Sequence, residues 1–406
     1  MYMPQPVKDV IARLEQCGYE AFAVGGCVRD SLMGRTPGDY DVTTSARPDE
    51  MLQCFADWRV VETGLQHGTI TVVREGMNVE TTSYRIDGVY ADHRHPTGVT
   101  FTDSLSDDLS RRDFTVNAMA YSDTRGIVDR FGGRDDLRAR VIRCVGDPET
   151  RFREDGLRIL RAMRFAATLD FTVDSATADA AFRLSGLLTY ISRERIYVEL
   201  KKLVCGTAAT RILHQFASIA AGLFADTPET AIHTGADALD RLSEFPDLPA
   251  AGDPDLRFAV LFCGLPDPAF RAAIRSLKMA KASENGVKMC RDTLPACEDP
   301  QSARELSRRL LGRYGLHGGI RLTLYDFACG AVGVADTRQK LDALTAIDAA
   351  RLPNTLRELA VTGADLLRLG ITGTDVGASL AYLLDGVLAD RLPNDRAALL
   401  AALDKR

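Results

Sequence analysis

The sequence predicts an α+β chain whose first third mixes short strands with helices and whose remainder is helical. Three observations predict this. A short apolar run at residues 21–24 and strand-like stretches at residues 40–44, 69–74 and 79–86 alternate with stretches of helical spacing. From about residue 206 onward apolar residues recur at helical intervals, with loops at Gly235, residues 246–254 and residues 266–268. At 406 residues the chain exceeds a single core and implies about two to four domains.

Taken in order, residues 7–14 have helical apolar spacing. Residues 21–24 form a short apolar run, and residues 27–33 read as a helix ended by Gly34. Residues 40–44 are a strand, and residues 48–55 a helix with Pro48 in its first turn. Residues 69–74 and 79–86 read as a hairpin closed by Glu75-Gly76-Met77-Asn78. Residues 86–101 are polar, carry Gly88 and Pro96, and read as a mobile connection. Residues 148–169 read as one helix, opened by Asp147-Pro148 and apolar at Leu157, Leu160, Met163 and Phe165.

Asp39 and Asp41 flank Tyr40 just after the segment Gly25-Gly26-Cys27-Val28-Arg29-Asp30. Along a strand, residues i and i+2 project from one face, so both carboxylates aim at one point while Tyr40 turns away. Like charges held that close raise each other's pKa unless a cation lies between them. Hard oxygen ligands suit Mg²⁺, which takes one or two carboxylates together with substrate phosphates. The glycine pair Gly25 and Gly26 opens a helical pattern, where backbone N–H groups can approach a phosphate. The combination points to metal-assisted chemistry on a nucleoside triphosphate. Separately, an Asp-x-Asp also describes a solvated turn, and a glycine pair a plain one. Glu80, on the second hairpin strand, is either a third carboxylate for this site or an exposed strand residue.

Composition narrows the function classes. The apolar and charged fractions, 46% and 26%, are those of a globular protein, and no run of about 18 apolar residues spans a membrane. The N-terminus lacks a basic region followed by an apolar one, so no secretory signal is expected. Nine scattered cysteines without a Cys-x-x-Cys fit a reduced, cytoplasmic protein. His93 and His95 have no partner at zinc-site spacing. A net charge of −6 argues against a chain coated in nucleic acid and leaves room for a local basic groove. Two basic stretches qualify, Arg271, Arg275, Lys278 and Lys281 on one expected helix, and Arg304, Arg308, Arg309 and Arg313 on another; each is equally a solvated helix face.

Three segments in order carry a resemblance: Gly25-Gly26-x-x-Arg29-Asp30 with Asp39-x-Asp41; Asp108-Leu109-x-Arg111-Arg112-Asp113-Phe114-Thr115-Val116-Asn117-Ala118; and Glu154-Asp155-Gly156-Leu157-Arg158-Ile159-Leu160-Arg161-Ala162-Met163-Arg164-Phe165. Ser192-x-Glu194-Arg195-Ile196-x-x-Glu199-Leu200 continues the series. The chain looks like a class II tRNA nucleotidyltransferase, the family of CCA-adding enzymes and their poly(A) polymerase relatives. The likeness is strong over about residues 19–205, returns weakly at residues 363–370, and lapses between.

The resemblance implies a polymerase-β-like catalytic head at residues 1–140, a helical neck at 141–205, a helical body at 206–335 and a tRNA-binding helical tail at 336–406. By position, Asp39 and Asp41 would bind Mg²⁺, with Glu80 beside them. Gly26 and Arg29, next to Gly25, would bind the triphosphate, and Arg112 with Asp113 would contact phosphate and ribose. Asp155 and Arg158 would hydrogen-bond the base, with Arg161 and Arg164 nearby. At i, i+3 on one helix the first two would share a face, and an acceptor beside a donor complements the pairing edges of both cytosine and adenine. An ion-paired helix, with Arg151–Asp155 and Glu154–Arg158 pairs, accounts for the same spacing. The implied activity is template-independent addition of CCA to tRNA 3′ ends from CTP and ATP. A loop at residues 90–96, carrying Asp92 and Arg94, matches one that CC-adding relatives lack. No long basic C-terminal extension of the poly(A) polymerase kind is seen, nor a His-Asp phosphohydrolase motif. The rival from another class is a non-catalytic tRNA-binding protein.

Overall fold

The computed structural model describes residues 1–87, 99–292 and 300–403. The 90–96 loop and the His93–His95 pair lie outside them. The chain forms two units, Met1–Ile219 and Ala220–Arg406.

The first unit is built on strands β1 (Ala21–Val24), β2 (Asp41–Thr44), β3 (Arg59–Gly64), β4 (Thr69–Arg74), β5 (Met77–Ser83), β6 (Arg85–Asp87), β7 (Val99–Phe101), β8 (Met119–Ser122) and β9 (Gly126–Asp129). Seven of them make one sheet in the order β3-β4-β5-β2-β1-β8-β9, and β6 with β7 forms a separate ribbon. The span expected to be loop therefore contributes two paired strands at its ends. The β4–β5 hairpin is tighter than expected. Arg74 already pairs with Met77, so the turn is Glu75-Gly76 alone. Both turn residues have positive φ, 49° and 79°, the combination whose twist matches that of the flanking strands.

Alternation divides the sheet residues between two cores. Ala21, Ala23, Val42, Ile70, Val72 and Val79 pack with Val7, Val10, Ile11 and Leu14 of helix α1 (Gln5–Gln16). Phe22 and Val24 face the other way, onto Tyr84, Leu109 and Ala120. Helix α2 (Gly26–Leu32) follows β1 directly, and α3 (Pro48–Cys54) follows β2. After α4 (Leu105–Ser110), strands β8 and β9 and helix α5 (Gly133–Ala139) complete the head.

The expected helix over residues 148–169 is two helices, α6 (Pro148–Glu154) and α7 (Leu157–Leu169). Asp155 is extended between them, at φ −141° and ψ 105°. Its carboxylate accepts from the Leu157 N–H at 3.1 Å, a local bond that competes with helix continuation and caps α7 instead. Asp155 and Arg158 thus do not share a helix face. Helix α7 is largely buried, with Arg158, Arg161 and Arg164 recurring at every third position among apolar residues, and packs on α9 (Arg193–Val204), with α8 (Ser175–Arg183) between them in sequence.

The second unit is helical among its described residues. The first basic stretch is not one face. Arg271 and Arg275 lie on the helix Asp267–Ser276, Lys278 turns the chain at φ 49°, and Lys281 starts the next helix. The second stretch does lie on one helix, the part of Pro300–Ala328 that precedes the break at Gly315 (φ 68°), but is committed to protein partners. Arg304 and Arg309 meet Asp390 and Asp385 at 3.0 and 2.8 Å. Arg308 is only 2% exposed and donates to the carbonyls of Pro353 and Val387, at 2.7 and 2.5 Å, and to Asp390 at 2.9 Å. It satisfies the carbonyl end of the helix Thr374–Leu388.

Replacing Arg308 with methionine keeps the stem and strands those carbonyls. We expect a loss of about 2–3 kcal/mol in the stability of the second unit, read by urea denaturation.

Candidate active site

Two pairings put the candidate residues together. Val24 of β1 lies opposite Asp41 of β2, so the glycine pair that follows β1 sits at the end of the sheet where β2 begins. Asp41 in turn lies opposite Glu80 in the parallel β2–β5 pair. Asp39 precedes β2 rather than lying in it, yet the alternation holds: Tyr40 is buried in the core, while Asp39, Asp41 and Glu80 are exposed.

The electrostatics reflect this crowding. The Asp41 carboxyl is pushed up to about 6, first by the protein packed around it and then by the charges of Asp39 and Glu80; Arg112 offsets them in part. The residue remains exposed. Among the described residues no group of three or more His, Cys, Asp or Glu side chains is arranged to hold a metal ion unaided. The donor set nonetheless fits a hard divalent cation, which takes two carboxylates and completes its shell with water and ligand oxygens.

Around the acids lie the cationic residues. Gly25 has φ 81° and ψ −129°, and a Cβ there would come within 3.2 Å of Arg112 Nη1. A side chain would therefore be strained and would press on Arg112. Arg29 is buried rather than presented to the cleft: it donates to Asn117 Oδ1 at 2.6 Å and to Asp30 at 2.8 Å. Asn117 donates onward to Asp113 Oδ1 at 3.1 Å. Asp113 Oδ2 accepts two bonds from Arg161, at 2.8 and 2.6 Å. Burial by itself would raise the Asp113 carboxyl; Arg161 and Asn117 outweigh it and hold the group at about 2. Glu199 closes the chain, 2.8 Å from Arg164 and 3.6 Å from Arg161.

The expected base-reading residues are joined through the backbone, the Arg158 N–H donating to the Asp155 carbonyl at 2.9 Å, while their side chains turn to different partners. Asp155 accepts from Arg195 at 2.8 Å. Arg158 donates to the Arg151 and Arg111 carbonyls, at 3.1 and 2.9 Å, and pairs with Glu154. Of the two ion pairs read from spacing, Glu154–Arg158 forms, while Arg151 meets Glu154 at 2.7 Å rather than Asp155. Sequence reasoning gave no role to Asp108, Asn117 or Arg195. All three lie inside the quoted segments, which was the available signal.

Two family models match the chain. A poly A polymerase head domain model matches residues 21–143, and a model for the probable RNA and SrmB-binding site of polymerase A matches residues 170–224. The CCA-adding enzyme of Levilactobacillus brevis is 37% identical over 403 residues, covering 98% of this chain and 96% of that protein. The chain belongs to the CCA-adding enzyme family.

Structures of the family share the fold. The Bacillus stearothermophilus CCA-adding enzyme in complex with CTP superposes with a TM-score of 0.80 at 31% identity, covering 100% of this chain and 98% of that one. The Thermotoga maritima CCA-adding enzyme complexed with tRNA has a TM-score of 0.70 at 20% identity, covering 98% and 94%.

The raised Asp41 pKa has a sign that can be checked. A carboxyl whose folded pKa lies above its unfolded value stabilises the fold while protonated and loses that contribution as pH rises through about 6. Metal-free wild type should therefore lose melting temperature between about pH 4 and pH 7 relative to Asp41→Asn, and added divalent cation should recover it. Parallel profiles for the two proteins would contradict a raised Asp41 pKa.

Proposed function

We propose that this chain adds C, C and A to the 3′ end of tRNA, using CTP and then ATP and releasing pyrophosphate. The observation that carries the reading is the β1–β2–β5 register, which sets Asp41 opposite Glu80 and next to the glycine pair and Arg112. Near full-length likeness to CCA-adding enzymes supports the choice of substrate, and the related structures with CTP and with tRNA support both partners.

In this reading Asp39 and Asp41 hold Mg²⁺, with Glu80 adding negative charge beside them. A pair of such ions would lower the pKa of the attacking 3′-hydroxyl and neutralise charge on the departing pyrophosphate. Gly25 and Gly26 leave backbone room for the triphosphate, and Arg112, facing Gly25, supplies positive charge for it. Arg29 and Asp113 act from behind, through Asn117, by fixing the wall of the pocket. Asp155 and Arg158 read the base, with Arg161 and Arg164 packed alongside. Reading a base with Arg158 requires the guanidinium to turn from Glu154 and the carbonyls it meets here. Residues 141–205 would form the neck, 206–335 the body and 336–406 the tail on tRNA. The substrate places the reaction in the cytoplasm, and no described helix is long and apolar enough to cross a membrane.

The test is incubation with tRNA ending at the discriminator base, together with Mg²⁺, CTP and ATP, with products sized on a gel. Wild type should add C, C and A and stop. Products ending at CC, at a single A, or in a long A tail would identify another member of the family. Asp39→Ala and Asp41→Ala should abolish all addition with unchanged circular dichroism; near-normal activity in either would sink the metal assignment.

Asp155→Ala and Arg158→Ala should weaken discrimination against UTP and GTP by about 1–3 kcal/mol, the cost of a lost base hydrogen bond with its partner left unpaired. Wild-type discrimination in both variants would make them structural ion-pair partners.

A further inference from the structure

Asp108 is wholly buried, at 0% exposure, in a position no role above requires. Each of its oxygens is occupied. Oδ1 accepts two bonds from Arg111, at 3.0 and 2.7 Å. Oδ2 accepts from the Thr43 hydroxyl at 3.1 Å and from Arg112 Nη2 at 3.3 Å. Burial opposes the charge on Asp108, but Arg112, Arg111 and the Thr43 hydroxyl together hold its carboxyl below the usual range.

The four residues join the two sides of the site. Thr43 is two positions after Asp41 on β2, so the side chains of both leave the strand on the same face. Arg112 lies across the site, next to Gly25. Among the described residues, the bond to Asp108 is the one side-chain hydrogen bond that Arg112 makes, and its Nε is buried without a partner. Both arginines pair with Asp108, so two guanidiniums against one carboxylate leave a net positive charge, and Arg112 is the one of the two that lies beside the glycine pair.

We propose that Asp108 is a positioning residue for triphosphate binding: it brackets Arg112 to the strand that carries Asp41 and so fixes the distance between the phosphate-binding and acidic sides of the site. This rests on the nucleotidyltransferase reading. It predicts a role in grip on the triphosphate, shared by CTP and ATP, and none in choice of base. A carboxylate that served only the stability of the head would leave nucleotide KM unchanged.

The experiment is steady-state addition to tRNA by Asp108→Asn, which keeps the shape and removes the charge. KM for CTP and for ATP should rise together, by about tenfold, the loss of one charge-assisted hydrogen bond. The tRNA KM and the discrimination against UTP should stay at wild-type values. The wild-type lane separates the two levels: absence of any addition there fails the function reading itself. Addition by wild type with unchanged nucleotide KM in a folded Asp108→Asn overturns the bracket, as does a rise confined to one nucleotide. If Asp108→Asn does not fold, Thr43→Val carries the test, since it leaves both arginines on the carboxylate and cuts the tether to β2, together with the longer 3.3 Å bond of the same hydroxyl to the Thr82 carbonyl. It should raise both nucleotide KM values by a smaller, equal factor, and wild-type values would overturn the proposal.

Discussion

Repulsion among carboxylates fixed on adjoining strands is the constraint around which the head is organised. Asp41 and Glu80 face each other because β2 pairs in parallel with β5, and that register is held by the apolar residues behind it. A slip of one residue would carry Tyr40 and Val42 out of the core and the acids into it. The hydrophobic alternation thus forces like charges together, and Asp41 resists ionisation, first through the protein packed around it and then through the charges of Asp39 and Glu80. The glycine pair, Arg112 and the Asp108 cluster all lie at this end of the sheet, where positive charge is needed.

Behind that end runs a continuous polar chain: Arg29, Asn117, Asp113, Arg161, Glu199 and Arg164. It begins on α2 and ends on α7 and α9, so it ties the strand-rich head to the helices that follow. Opposite charges alternate with hydrogen bonds along it, and the low pKa of Asp113 shows that pairing overcomes the cost of burial. In a chain of this kind each member orients the next.

The parts of this arrangement legible in the sequence are those with short-range causes. The alternation around Tyr40 and the β4–β5 hairpin could be read from spacing alone, while the motif residues were singled out by the resemblance to a family. The break at Asp155 was hidden because its cause is a side chain caught by the Leu157 amide and by Arg195, and helical periodicity continues across it. Strand β3 was missed because its residues are mostly exposed and lack a clean apolar face. The basic stretch around Arg308 resembled a phosphate-binding face because its partners, Val387 and Asp390, lie about 80 residues away along the chain. Long-range pairing decides such cases, and spacing does not contain it.

The central claim is that the acids at the start of β2 form a cation site, and calorimetry tests it most directly. Metal-free protein is titrated with Mg²⁺ near pH 6 in two buffers of different ionisation enthalpy, beside Asp41→Asn. The account predicts that wild type binds with release of part of a proton, because the cation displaces the one that Asp41 retains near its pKa of about 6, and that the variant shows no such release. Equal proton release by both proteins, or Mg²⁺ binding unchanged in Asp41→Asn, would contradict it.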